Sequence, residues 1–258
     1  MDIISGISST SEMRKSNYSS VYRVVYKEQQ ISKQAIAAKL HMSLPTVSQY
    51  LKELEESGLI EKSGHYVSTG GRKPNILQPV ATARVAAGLE IRNDMARLNL
   101  LDLQGALLKE SIFTVSFSKT SEYYDELCSW VNDTIASMEF NQKQILGIGI
   151  GIQNIISPDG QETIFGKLLP AGILISDFSS RLNYHCVMVH DVELAALAEL
   201  WYRPDLKNVI YLSLNHNLGG ALIVNGRIHS GMYSSGTIEH MVYIPNGLPC
   251  YCGKNGCL

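Results

Sequence analysis

Although 45% of its 258 residues are hydrophobic, the chain has no apolar run approaching the ~18 residues that a membrane-spanning helix needs. That excludes a helical membrane protein. Residues 1–17 are mostly polar and rich in serine, with no apolar core of the kind a secretory signal carries. No export is therefore expected, and the expected compartment is the cytoplasm. Net charge is scarce too, at −2, which argues against a general nucleic-acid coat. With five cysteines and no export signal, reduced thiols or a metal site are expected rather than a disulfide framework. Repeats and low-complexity tracts are missing.

What is present is unevenly distributed. Residues 1–80 hold ten basic and seven acidic side chains, and residues 81–258 hold twelve and seventeen. A mildly basic head on an acidic body fits a DNA reader joined to something else. The length allows two domains, each with its own core.

The head is organised around residues 31–74. Ser32 can cap a short helix in which Ile36 and Leu40 share a face. A tight turn at His41 and Met42 follows, and Ser43 can cap a second helix with Pro45 in its first turn. In that helix Leu44, Val47, Leu51 and Leu54 are expected to form one buried stripe. Ser43, Pro45, Thr46, Gln49 and Lys52 then lie outward, near the helix N-terminus. Two helices joined by a short turn, with a polar face on the second, make a helix-turn-helix pattern. Tyr18, Val21, Tyr22 and Val25 add a preceding helix over residues 17–27, and residues 1–16 read as a flexible leader.

After the second helix, residues 59–62 and 66–69 read as two strands turning at Ser63-Gly64, the shape of a wing. The run Ser68-Thr69-Gly70-Gly71-Arg72-Lys73-Pro74 is flexible and basic. It reads either as a linker or, beside a winged helix, as a strand placing Arg72 and Lys73 in a narrow minor groove. The expected division is a winged helix-turn-helix over 17–72, a linker over 73–80 and a second domain over 81–258.

That second domain reads as mixed α/β, with strands near 84–89, 96–102, 106–117, 145–152 and 208–214. Amphipathic helices are expected over 122–140 and 191–202, and a hairpin across Asn225-Gly226. Cys128 and Cys186 sit in apolar contexts and read as core. At the chain's end His240 is followed by Cys250, Cys252 and Cys257. Three thiolates and one imidazole make a complete tetrahedral set with no position for water, so a structural zinc is expected.

These residues carry a resemblance. The His240/Cys250/Cys252/Cys257 spacing, the Ser-Thr-Gly-Gly-Arg-Lys-Pro join, and His190-Asp191-Val-Glu-Leu-Ala-Ala-Leu-Ala-Glu199 resemble the ROK family (repressors, uncharacterised reading frames and sugar kinases), in its xylose-repressor-like branch. The resemblance implies an actin/ribonuclease-H-like domain, two-lobed, with its ligand between the lobes. It also matches Asp191 to the base of the family's kinases.

Departures from the family pattern shape the functional expectation. Kinases of the family hold ATP phosphates on Asp-Ile-Gly-Gly-Thr-Lys, whose glycines admit phosphate to backbone N–H groups. Here the matching stretch is Glu90-Ile-Arg-Asn-Asp-Met95, with Asp94 set to repel phosphate. A second family loop, Gly-Thr-Gly-Ile-Gly-Gly-Gly, matches Asn215-His-Asn-Leu-Gly-Gly-Ala221, which keeps only Gly219 and Gly220. The family's Gly-Glu-Ile-Gly-His reads Gly236-Thr-Ile-Glu-His240. No catalytic residue is assigned, and no kinase activity is expected.

Asp191, Glu193, Glu239 and His240 are the candidate ligand residues. Asp191 reads equally as a helix cap, Glu193 as a first-turn acid favoured by the helix dipole, and His240 as a zinc ligand only. Regulators of the family continue well past the zinc cysteines, so the second lobe is expected to be incomplete, either because the sequence is truncated or because the protein has discarded half its sensor lobe. The expected protein is a DNA-binding regulator, a repressor acting as a homodimer or higher oligomer, with double-stranded DNA as partner and a carbohydrate effector. A sugar kinase with a DNA-binding head, or a DNA binder with a broken sensor, are the alternatives.

Overall fold

The computed structural model describes residues 10–65, 75–214, 218–229, 238–250 and 252–258. The chain divides into two compact units, one ending at Arg84 and the other beginning at Val85.

The first unit opens with α1 (Thr10–Glu28), which starts seven residues ahead of the expected Asn17 and takes in part of the expected leader. The amphipathic pattern begins only at Tyr18, but the polar turn before it is anchored from outside. Arg14 Nη2 donates to Glu53 Oε1 on a neighbouring helix at 2.6 Å. In α2 (Lys33–Leu40) the Ser32 side chain accepts from the Ala35 N–H, as expected. His41 ends that helix in the left-handed conformation, φ 52°. Ser43 caps α3 (Leu44–Glu56) by accepting from the Thr46 N–H, with Pro45 in the first turn.

Val47, Leu51 and Leu54 are buried, joined by Tyr50, so the buried face runs i, i+3, i+4, i+7 from Val47. Leu44 is a correction: it is 45% exposed. It points along the same stripe but stands in the first turn, beyond the edge of the core that Val21, Val25 and Ile36 form beneath α3.

The wing differs from its expected form. β1 (Ile60–His65) continues through Ser63-Gly64, which form a bulge inside the strand rather than its turn. Gly64 has φ +139°, open to glycine and hostile to other side chains. The partner strand is β2 (Asn75–Pro79), antiparallel, pairing Ile60 with Pro79 and Lys62 with Leu77. Residues expected as linker are therefore the return strand of the first unit's sheet. Leu77 is 3% exposed and exchanges backbone hydrogen bonds with Ile31 at 3.0 and 2.9 Å. The strand expected over 66–69, together with Arg72 and Lys73, lies outside the described residues.

In the second unit, β3 (Val85–Ile91), β4 (Met95–Asp102), β5 (Leu107–Thr114), β6 (Ile145–Ile152) and β9 (Cys186–His190) form one sheet in the order β5-β4-β3-β6-β9. The first three strands are antiparallel, whereas β6 runs parallel to both β3 and β9. Alternating burial along β3 presents Val85, Ala87, Leu89 and Ile91 to a core shared with α4 (Ser121–Ala136). Tyr123, Tyr124, Leu127, Cys128, Val131 and Ile135 supply that helix's buried face. Burial pushes the Cys128 thiol up to about 12 and raises Cys186 as well.

Between β6 and β9 lie the small pair β7 (Ile155–Ile156) and β8 (Thr163–Phe165) and the short helix α5 (Ile175–Ser179). Leaving β9, the chain passes at His190 into α6 (Asp191–Tyr202), then into β10 (Val209–Leu214), β11 (Leu218–Val224) and β12 (Arg227–Ile228). The last three make an antiparallel sheet on which Ala196 of α6 packs against Ala221 and Ile223.

Candidate DNA-reading helix, metal cluster and ligand cleft

Three chemical features stand out, the first on α3. Ser43, Pro45, Gln49 and Lys52 are exposed and Thr46 is half-buried. Ser43 Oγ and Thr46 Oγ1 lie 2.8 Å apart, so the capped first turn is held while its outer face stays open. Gln49 Nε2 donates to Glu53 Oε1 at 3.3 Å, and that oxygen also receives Arg14. Lys52 reaches Glu56 at 3.7 Å along the same helix. The acids crowd the C-terminal half of α3, at Glu53, Glu55 and Glu56, which leaves the N-terminal half as the face that suits a polyanion.

The second feature is the chain's final turn. The ligand atoms of His240, Cys250, Cys252 and Cys257 lie within 4.8 Å of one another. His240 Nδ1 stands 3.5 Å from Cys250 Sγ, and the Cys252 and Cys257 sulfurs are 3.6 Å apart. A tetrahedron with metal–sulfur bonds of about 2.3 Å has edges of about 3.8 Å, so the donor set fits a zinc-sized ion. The loop that carries it is closed by its own backbone, Cys250 N–H to the Lys254 carbonyl at 2.8 Å and the Gly253 N–H back to Cys250 at 3.0 Å. Chiefly through a backbone hydrogen bond with Lys254, the Cys252 thiol is held below its ordinary value. Cys257 is pushed up to about 11, first by burial and then by its two sulfur neighbours.

The third feature is a cleft of about 460 Å³ in the second unit. Three of the four expected ligand residues, Asp191, Glu239 and His240, line it; Glu193 does not. Asp191 is the first residue of α6 rather than its cap, a position taken by His190 without a side-chain bond. The Asp191 carboxylate accepts from the Val192 N–H at 2.9 Å and lies 3.3 Å from His190 Nε2. Glu239 belongs to a single helical turn, Ile238–His240, not to a strand, and is 9% exposed.

Glu90, Arg92, Asn93 and Asp94 line the cleft as well. Arg92 is engaged by Glu90 through Nε at 2.7 Å and Nη2 at 2.6 Å. Lys167 and Phe165 also line the cleft, and nothing in their local sequence marks them for it.

Gly219 and Gly220, the retained pair of the second loop, lie buried within β11 and have a packing role. A Cβ on Gly219 would come 2.7 Å from Val192 Cγ2, and one on Gly220 would come 2.9 Å from Ile238 Cβ. Their missing side chains let α6 and the Glu239 turn approach the sheet. The rest of that loop, residues 215–217, and Gly236 and Thr237 lie outside the described residues.

Comparison with known proteins agrees with this division. A winged helix-turn-helix DNA-binding family matches residues 20–61, and the ROK family matches residues 86–258. The N-acetylglucosamine repressor of Shigella flexneri is 25% identical over 251 residues, 95% of this chain and 62% of that protein. The xylose repressor of Bacillus subtilis is 23% identical over 249 residues, 95% of this chain and 65% of its own length. The chain thus spans less than two thirds of these relatives.

Among solved structures, a ROK family transcriptional regulator, a homologue of the Escherichia coli MLC protein, superposes with a TM-score of 0.73 at 18% identity. That match covers 95% of this chain and 63% of that one. A ROK family glucokinase from Streptomyces griseus, in complex with glucose and AMPPNP, gives 0.55 at 24% identity, covering 67% of this chain and 55% of that one. These likenesses show the fold. With a ROK match running from β3 to the final cysteine turn and a winged helix-turn-helix ahead of it, the chain belongs to the ROK family.

Proposed function

We propose that the chain is a transcriptional repressor of the cytoplasm that binds an operator as a dimer and responds to a carbohydrate held in the cleft. The observation that carries this reading is α3. Its N-terminal face is capped, exposed and free of acid, and its buried side is fixed by Val47, Tyr50, Leu51 and Leu54. On this reading Gln49 contacts a base edge, with adenine its best partner, while Ser43, Pro45, Thr46 and Lys52 meet bases or phosphates. Arg72 and Lys73 enter the flanking minor groove. Repressors among the relatives support the assignment.

The cleft carries no phosphotransfer on this reading. Where family kinases have glycines, Arg92 and Asn93 bring side chains, Asp94 follows them, and Arg92 is occupied by Glu90. Asp191 and Glu239 hydrogen-bond sugar hydroxyls instead. A zinc ion in the His240, Cys250, Cys252 and Cys257 set braces the turn that holds Glu239; it supplies structure, not chemistry. Ligand in the cleft biases the dimer between DNA-competent and incompetent spacings.

Selection of bound genomic fragments followed by footprinting tests the reading. Gln49→Ala should relax base preference at the positions α3 covers. Arg72→Ala should weaken binding chiefly at A·T-rich flanks. Indifference of the full chain to all duplex DNA, or ATP-driven phosphorylation of any sugar, refutes it.

A further inference from the structure

Three polar or charged side chains are buried among the described residues: Asn154, Thr163 and Glu239. Two serve the backbone. Asn154 Nδ2 donates to the carbonyls of Leu169 and Pro170 at 3.3 and 3.0 Å, and Thr163 Oγ1 accepts from the Ile173 N–H at 3.0 Å. Glu239 is different. Its buried Oε2, like Asn154 Oδ1, has no hydrogen-bond partner among the described residues, but Glu239 lines the cleft and Asn154 does not. A buried acceptor without a donor is costly and calls for a partner that arrives from outside.

The turn carrying it has little freedom to swing the carboxylate into water. Ile238 rests on Gly220, where a Cβ would come within 2.9 Å of it. His240 Nδ1 is 3.5 Å from Cys250 Sγ, and the Met241 N–H donates to the Ile238 carbonyl at 3.0 Å. Glu239 is thus held between a packed neighbour and the cysteine cluster, aimed at the cleft before any ligand arrives.

The rest of the lining says what kind of donor fits. Four carboxylates, Glu90, Asp94, Asp191 and Glu239, stand against Arg92 and Lys167, and Arg92 is already engaged by Glu90. Such a wall repels a phosphate ester. It welcomes hydroxyl groups, each able to donate to a carboxylate. Phe165, 42% exposed, and Leu168 offer an apolar surface to the C–H face of a ring.

The geometry points to Glu239 as the specificity-determining acceptor for an uncharged polyhydroxylated ligand, an unphosphorylated sugar, with phosphate esters excluded by the acidic wall. This rests on the cleft being the effector site. Isothermal titration of the full chain with glucose, xylose and N-acetylglucosamine, and with glucose 6-phosphate and N-acetylglucosamine 6-phosphate, tests it. At least one neutral sugar is expected to bind, and glucose or N-acetylglucosamine to exceed its own ester about tenfold or more.

Glu239→Gln, which keeps the shape but places an amide where a carboxylate accepts, should lose about tenfold or more in affinity for the neutral sugar. Asp94→Asn should narrow the gap between sugar and ester. An ester that outbinds its parent sugar overturns the inference but leaves the effector reading standing. So does a Glu239→Gln chain that binds sugar as the parent does. If that variant does not fold, the parent's sugar-to-ester ratio and Asp94→Asn decide. No binding by any of the five compounds sinks both the inference and the effector reading.

Discussion

Replacing Gly219 with alanine separates packing from phosphate binding as the reason for the glycine. The added methyl would lie 2.7 Å from Val192 Cγ2, about 0.7 Å or more inside van der Waals contact. Gly219 sits in β11 opposite Ser213, and Val192 is the second residue of α6, so neither can retreat without moving its element. Overpacking of this kind costs about 1–3 kcal/mol. Val192→Ala removes the clashing Cγ2 methyl and leaves room for the methyl introduced at position 219. The double variant should therefore recover most of the loss, a coupling of about 0.5–3 kcal/mol. Because both tryptophans, Trp130 and Trp201, belong to the second unit, their fluorescence during urea unfolding follows that unit alone. If Gly219→Ala unfolds at the parent's midpoint, or Val192→Ala fails to restore it, the packing account is wrong.

The other predictions concern the sulfur chemistry. Purified chain should carry stoichiometric zinc, measured by plasma emission, and lose it in Cys252→Ser, with a lower melting temperature for the second unit; an unchanged melting curve would refute the bracing role. Burial raises both the Cys128 and Cys186 thiols, so the folded state binds their protons more tightly than the unfolded state does. Stability is therefore insensitive to them below their ordinary value of 9.0 and falls as pH rises above it. Substituting Cys128 with alanine should flatten that alkaline decline. At pH 8 the two thiols should resist alkylation in the native chain, while the three C-terminal cysteines react once a chelator is added.

The parts of the head that were legible are those decided within a few residues. Ser32, Ser43 and Pro45 act through their own helix's first turn, and the spacing of Val47, Leu51 and Leu54 follows from a single helical period. What sequence reading missed depends on distant partners. Asn-Ile-Leu-Gln-Pro over 75–79 resembles a linker by composition, and it becomes a strand only because β1 and Ile31 offer hydrogen bonds and Leu77 finds a core. In the same way the polar start of α1 has no periodicity to announce it, and its Arg14 meets a partner, Glu53, that lies 39 residues away in the chain. β3, β4, β5, β6 and β10 were found within a few residues, but β9 and the short pair β7 and β8 were missed, and the order β5-β4-β3-β6-β9 is not written in any one strand.

In the cleft the lesson is sharper, because identical residues can be kept for different reasons. Gly219 and Gly220 match a phosphate loop by spacing, yet in β11 they are the floor on which Val192 and Ile238 sit. Their presence says nothing about nucleotide. The same contacts make one mechanical chain: Gly220 supports Ile238, Ile238 carries Glu239, and the next residue, His240, joins the cysteine set. An ion held by that set would therefore act on the cleft by fixing where one carboxylate points, without touching the ligand. Stripping the metal should accordingly weaken sugar binding in the parent more than in Glu239→Gln, which has already lost the acceptor that the metal positions. Equal losses in the two chains would break the link between the cluster and the cleft.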